Sequence, residues 1–327
     1  MSFGEIKGHQ KQIKLIISSI KADLLHHAYL FSGPEGVGKT TVAVAMAKAI
    51  MCRNFGDDSC GSCASCRLVE ERSHPDLWII EPEKGIIKID VIRDLASSIA
   101  FSAFEARRRV VIIREADKMN QYAANALLKT LEEPPERTVF ILTTTSSASL
   151  LPTIVSRCQK IDFGPLPPQL AEEVIKKKGG VDDSSAKTLA SISGGSPGKA
   201  MRYDEQLALF LRPHFVRTLM SCSTAEISRL FELSHKLDSL GDDLEVMLGF
   251  YEDWFRDILC YKLFSTDGRI MHVDMKDELA DWARRLSFKE ALKCCEFVSW
   301  TKAAIQKNAN RLLAIDNMLI KIAGVLK

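Results

Sequence analysis

The residues Gly33 to Thr41, GPEGVGKTT, leave this chain few folds to choose from. An apolar run, Ala28 to Ser32, precedes them and an alanine-rich run, Val42 to Met51, follows, so the local order is strand, glycine-rich turn, helix. Gly33 and Gly38 bracket four residues ahead of Lys39 and Thr40, the spacing of a phosphate-binding loop. In such a loop, successive backbone N–H groups and the N-terminus of the next helix cradle the phosphates of a nucleotide. The candidate nucleotide-binding residues are therefore Gly33, Pro34, Glu35, Gly36, Val37, Gly38, Lys39, Thr40 and Thr41, for ATP or ADP. Lys39 would reach the terminal phosphates and the Thr40 hydroxyl would ligate Mg²⁺. Hydrolysis is a separate question, because it needs groups that lie elsewhere in the chain.

At 327 residues the chain exceeds one ordinary core and is expected to form two or three domains. Its net charge of +2 supplies no whole-protein attraction to nucleic acid, so DNA contact would need a local patch or a partner. The N-terminus is polar with interrupted apolar positions, unlike a signal peptide, and no apolar run is long enough to span a bilayer. The expectation is a cytoplasmic protein without a membrane partner. In that compartment nine cysteines point to metal ligands or buried thiols rather than to a disulfide framework.

Four of those cysteines cluster directly after the alanine-rich helix: Cys52, Cys60, Cys63 and Cys66. They lie among glycine, serine and aspartate residues that cannot build a core. Two overlapping Cys-x-x-Cys pairs plus a fourth thiol match a tetrahedral structural Zn²⁺ site, a knuckle spanning 52–66. Four protein ligands leave no open position for a catalytic water. A knuckle that reads DNA directly is disfavoured, because Arg53 is its only basic residue and Asp57 and Asp58 oppose it.

An amphipathic helix is expected over residues 5–25, with Ile13, Ile16, Ile17, Ile20 and Leu24 at helical spacing. Gly8-His9 ahead of it is a candidate for holding a nucleotide base. Beyond the knuckle, Leu77 to Glu81, Val110 to Ile113, Val139 to Leu142 and Gln159 to Phe163 read as apolar strands, separated by helical patterns at 89–99 and 121–132. Five strands alternating with helices imply an α/β fold with a doubly wound parallel sheet and the ligand at the carboxyl ends of the strands. Pro165, Pro167 and Pro168 mark a hinge. Short helices at 170–178 and 184–192 follow, the first ending in Lys176 to Lys178, a solvated helix end. From Asp204 onward only helical periodicity remains. The expected division is a nucleotide-binding domain at 1–165, a small helical lid at 166–204 and an all-α collar at 205–327.

Taken together, these residues resemble the clamp-loader branch of the AAA+ ATPases of bacterial DNA polymerase III. The resemblance is carried by HHAYLFSGPEGVGKT at His26 to Thr40, the inserted cysteines, ADKMNQYAANALLKTLEEPP at Ala116 to Pro135, LLPTIVSRC at Leu150 to Cys158, GGSPGKA at Gly194 to Ala200 and IQKNANRLLAIDNML at Ile305 to Leu319. The GSPG form and the asparagine-rich last helix favour a supporting subunit over the motor subunit.

In an active relative the third strand ends in Asp-Glu, the aspartate organising Mg²⁺ and the glutamate polarising the attacking water. Here those positions read Arg114-Glu115, so the resemblance implies a degenerate site in which Glu115 survives and Mg²⁺ binding is weakened by Arg114. Thr144, with Thr143 beside it, matches the sensor on the fourth strand. The arginine of the lid sensor aligns with Gly198, which leaves Lys199 or Arg202 to substitute. Arg157 of the Ser-Arg-Cys triplet is intact and matches an arginine finger that serves a neighbouring subunit. Cys158 beside it reads as a packed small hydrophobe. The implied partners are the gamma/tau and delta subunits, with the sliding clamp and primer-template DNA reached through the complex. The rival within the same family is a gamma-type motor ATPase, which needs Asp-Glu at 114 and 115.

Overall fold

Residues in the five strands alternate between two apolar clusters, and this period of two decides how the sheet is covered. The computed structural model describes residues 2–54, 56–99, 106–264 and 270–326. Its first helices and strands are α1 (Gln10–Lys21), β1 (Ala28–Ser32), α2 (Lys39–Met51), α3 (Ala64–Glu70), β2 (Leu77–Ile80), α4 (Ile89–Ile99), β3 (Arg109–Ile113), α5 (Gln121–Glu132), β4 (Thr138–Thr144), α6 (Pro152–Val155) and β5 (Gln159–Asp162). The strands form one parallel sheet in the order β2-β3-β4-β1-β5, the doubly wound arrangement expected. Tyr29, Phe31, Val110, Ile112 and Ile141 pack with Ile16 and Ile20 of α1 and Met46 of α2. Their neighbours Ala28, Leu30, Val111, Ile113 and Leu142 pack on the opposite face with Ile92 and Leu95 of α4 and Leu127 of α5. Each Val, Leu, Ile, Phe or Met side chain among them contributes about 1.5–3 kcal/mol when fully buried.

The first helix is shorter than its apolar spacing predicts. Asp23 adopts a left-handed φ of 54°, and Leu24 N–H turns back to donate to the Ser19 carbonyl at 3.0 Å. That closure ends α1 at Lys21 and leaves Leu24 77% exposed instead of on the packed stripe. The short helix α3, which carries Cys66, has no counterpart in the sequence reading; Cys63 caps its start by accepting from Cys66 N–H.

The chain divides into two compact units, Met1–Leu170 and Ala171–Lys327. The second is helical among its described residues: α7 (Pro168–Gly179, which starts before the division), α8 (Asp183–Ile192), α9 (Pro197–Ala200), α10 (Arg212–Met220), α11 (Ile227–Asp238), α12 (Leu244–Phe264), α13 (Lys276–Arg285), α14 (Phe288–Gln306) and α15 (Arg311–Val325). Lys176, in the last turn of α7, pairs with Glu172 and Asp183. A π-helical stretch, Gln206–Leu211, runs into α10, where Arg212 N–H donates to the Leu207 carbonyl. Pro213 explains it, since its missing N–H breaks the regular ladder and the turn widens. Helix α12 buries Phe250, Tyr251, Trp254 and Phe255 and packs on α13 and α14.

This unit also buries charge. The Asp257 carboxylate is fully buried and accepts from the Met271 and His272 backbone N–H groups at 2.9 and 2.8 Å, from His272 Nδ1 at 2.9 Å and from Arg256 at 2.7 Å. Burial alone would raise this carboxyl's pKa, but the His272 contacts and Arg256 hold it below the usual carboxylate range. No helix among the described residues is long and apolar enough to cross a membrane.

Candidate functional site

Order in the strand–turn–helix segment comes from contacts at both ends of the turn. Gly33 N–H donates to the Thr144 carbonyl at 3.2 Å, while Phe163 N–H donates to the Ser32 carbonyl at 2.7 Å. A Cβ on Gly33 would lie 2.0 Å from the Phe163 carbonyl oxygen, so only glycine fits this close approach. Gly38 caps α2 with a φ of 108°, a conformation that side chains resist. The turn therefore wraps over the carboxyl end of β1 and delivers Lys39, Thr40 and Thr41 to the first turn of α2. Lys39 is 8% exposed, and its ammonium donates to the Gly33 and Pro34 carbonyls at 2.6 and 2.7 Å. Burial lowers its pKa, opposed by the charges of Glu35, Asp117 and Glu115.

The groups expected from neighbouring strands lie at the carboxyl ends of β3 and β4. Glu115 has a left-handed φ of 49°, and its N–H donates to Thr143 Oγ1 at 3.2 Å. Thr144 Oγ1 accepts from Ser146 N–H at 3.2 Å and has one proton to give, with Asp117 Oδ1 at 2.8 Å and the Ser146 carbonyl at 2.9 Å as acceptors. Asp117 was not among the sequence candidates. Its only signal is a carboxylate two residues past Glu115, and the fold turns it towards Thr144, whose strand borders β1.

Arg114 points the other way. Its guanidinium pairs with Glu81 Oε1 at 2.5 Å, just past the end of β2. Because β2 lies on the far side of β3 from β1, this pairing directs the arginine's charge away from the Gly33–Thr41 turn. Position 114 therefore supplies neither a carboxylate nor a free cation to the loop.

Arg157 lies in the turn between α6 and β5. It donates to the Thr153 carbonyl at 3.0 Å and to Glu132 Oε1 at 2.7 Å, with its side chain about one-third exposed. Burial pushes the adjacent Cys158 thiol up to about 12, which suits packing rather than nucleophilic chemistry. Lys199, in the second unit, holds its ammonium 5.8 Å from the centre of the Tyr203 ring.

The four expected cysteines converge, with their sulfurs all within 4.8 Å of one another. Cys52–Cys63 and Cys60–Cys66 are each 4.0 Å apart, close to the edge of roughly 3.8 Å that a tetrahedron of metal–sulfur bonds requires. Backbone N–H groups of Cys60, Cys63 and Cys66 donate to the sulfurs of Cys52, Cys60 and Cys63, each at 3.4 Å. Such donors favour thiolates over thiols. The exposed Cys60 thiol is accordingly lowered to about 5, chiefly by the Ser62 and Cys63 N–H groups, whereas burial pushes Cys66 up to about 12. An ion pair between the buried Lys48 ammonium of α2 and Glu70 of α3 ties the helix that Cys52 directly follows to the helix that carries Cys66. The set fits a four-thiolate metal ion held at a closed site.

Two family descriptions match the chain: "DNA polymerase III, delta subunit" over residues 8–167 and "DNA polymerase III, delta subunit, C terminal" over residues 206–324. DNA polymerase III subunit delta' of Bacillus subtilis is 34% identical over 237 residues, covering 72% of this chain and 68% of the relative. The subunit delta' of Pseudomonas aeruginosa is 30% identical over 306 residues, covering 91% and 92%. The subunit tau of Bacillus subtilis is also 30% identical, over 283 residues, covering 80% of this chain but half of that protein.

Proposed function

The chain belongs to the family of DNA polymerase III delta-prime subunits, and on that premise we propose that it is a supporting subunit of the bacterial clamp loader. In this reading it assembles with gamma/tau and delta subunits and assists the ATP-dependent loading of a sliding clamp onto primer-template DNA in the cytoplasm. The AAA+ domain at 1–165 binds ATP or ADP without efficient hydrolysis, the lid lies at 166–204, and the collar at 205–327 makes the assembly contacts. Arg157 acts on the nucleotide of an adjacent motor subunit.

The observation that carries the reading is the pairing of Arg114 with Glu81, at the position where a motor needs a carboxylate for Mg²⁺. Equilibrium ATP binding and steady-state hydrolysis, measured on the natural chain and on Arg114→Asp, test it. The natural chain is expected to bind ATP and turn it over at background rate. Appreciable turnover by the natural chain alone would put the motor reading first, which the intact Lys39, Thr40 and Glu115 favour.

Zn²⁺ is the ion we assign to the four thiols, in a structural role. The purified chain is expected to carry about one zinc per chain by elemental analysis, and Cys63→Ser to lose most of it. Local order around α3 should go with the metal, whereas collar assembly should persist. Loss of all assembly in that variant would make the knuckle an interface instead.

A further inference from the structure

We propose that His9 is a positioning residue that sets the shape of the phosphate loop through the Val37–Gly38 peptide. The inference rests on the reading of Gly33 to Thr41 as a nucleotide-binding loop. His9 Nε2 lies 2.8 Å from the Val37 carbonyl oxygen. A carbonyl only accepts, so Nε2 carries the proton and donates.

The ring is held from several sides. It meets Phe163 edge-on with centroids 4.9 Å apart, and Phe163 in turn meets Phe31 of β1 at 5.0 Å. Its backbone is fixed as well: His9 caps α1 with a φ of 57°, and a Cβ on the preceding Gly8 would lie 2.3 Å from Leu166 Cδ2. The imidazole is thus a rigid post standing on the end of the sheet.

What the post controls follows from peptide geometry. In a planar trans peptide the C=O and the next N–H point in opposite directions, and no described peptide is cis. Holding the Val37 carbonyl outward on His9 therefore turns Gly38 N–H inward, into the turn ahead of α2 where a phosphate oxygen would lie. That peptide needs a tether, because Gly38 accepts φ of either sign and the plane could otherwise rotate at little cost. Burial and the nearby Lys39 charge lower the His9 pKa against the opposing pull of the Val37 carbonyl. Nε2 carries its proton in both the neutral and cationic rings, so the tether does not depend on pH. The role differs from the base-holding one that the sequence suggested, since the donating nitrogen is committed to the loop.

Two substitutions separate the donor from the ring. His9→Phe keeps the aromatic contact with Phe163 and removes the N–H; His9→Gln keeps an N–H donor at similar reach and removes the ring. ATP affinity by calorimetry and amide hydrogen exchange across residues 33–39, both on the full chain, are the readouts. His9→Phe should weaken ATP binding about five- to tenfold, the worth of one partly buried hydrogen bond, and speed exchange in the loop, with His9→Gln within about twofold of the natural chain on both. Equal loss in the two variants, or natural behaviour in His9→Phe, overturns the inference. If the natural chain binds no ATP, the nucleotide reading fails, and the exchange comparison alone decides whether His9 holds the loop.

Discussion

Replacing Arg157 with alanine is expected to slow ATP hydrolysis at the adjoining motor site of a reconstituted clamp loader by about 10³-fold or more, the range set by arginine fingers elsewhere. The argument is electrostatic. Charge accumulates on the transferring phosphoryl group, and a guanidinium in a water-excluded site stabilises it more strongly than solvent does. Arg157 suits the task because the short helix α6 and β5 hold its backbone while its side chain stays partly exposed. Its present partners are modest ones: an exposed ion pair with Glu132, worth no more than about 1 kcal/mol, and the Thr153 carbonyl. A neighbouring subunit's phosphate could displace them. The same substitution should leave this chain's own affinity for ATP unchanged. Complex turnover is measured by phosphate release and own-site binding by calorimetry; unaltered turnover of the complex would remove the finger assignment.

The largest effect on stability is expected at Asp257, where alanine should cost the helical unit about 3–5 kcal/mol. Truncation leaves the His272 ring, two backbone N–H groups and Arg256 without the carboxylate they share. Thermal unfolding followed by tryptophan fluorescence should show a midpoint lower by roughly 10 °C for a unit of this size. Trp254 is a suitable reporter, as its ring lies 5.4 Å from that of His272. The pH dependence has a definite sign. Because the folded pKa is depressed, the stabilisation is fully present above the unfolded value of about 3.9 and is lost as pH falls through the folded value. The gap between natural chain and Asp257→Ala should therefore narrow as the pH falls through the folded value of this carboxyl. An unchanged midpoint at pH 7 would show that the buried cluster contributes nothing net.

Features written in contiguous residues were legible in the sequence. The strand–turn–helix around Gly33 to Thr41, the convergence of four cysteines and the apolar strands each depend on neighbours a few positions apart, and each appears where its pattern predicted. Features that depend on a partner far along the chain were not. His9 meets Val37, Arg114 meets Glu81, and Asp257 meets His272, and nothing local in any of these residues names its partner. The direction of Arg114 required the strand order, because the same arginine reaching towards β4 would have faced the loop. One local misreading has a local cause: Asp23 stopped a helix whose apolar spacing continued.

The strand order also sets a timetable for synthesis. β1 is made directly after α1, which begins the series, yet among the described residues its hydrogen-bonded neighbours are β4 and β5. While the ribosome is still making residues before Thr138, β2 and β3 can pair with each other but β1 has no strand to join. The contacts that shape the glycine-rich turn after β1, Thr144 and Phe163, arrive later still. The loop must therefore wait as an unformed glycine-rich stretch through most of the domain's translation, and any message truncated ahead of β4 would encode its residues without its shape.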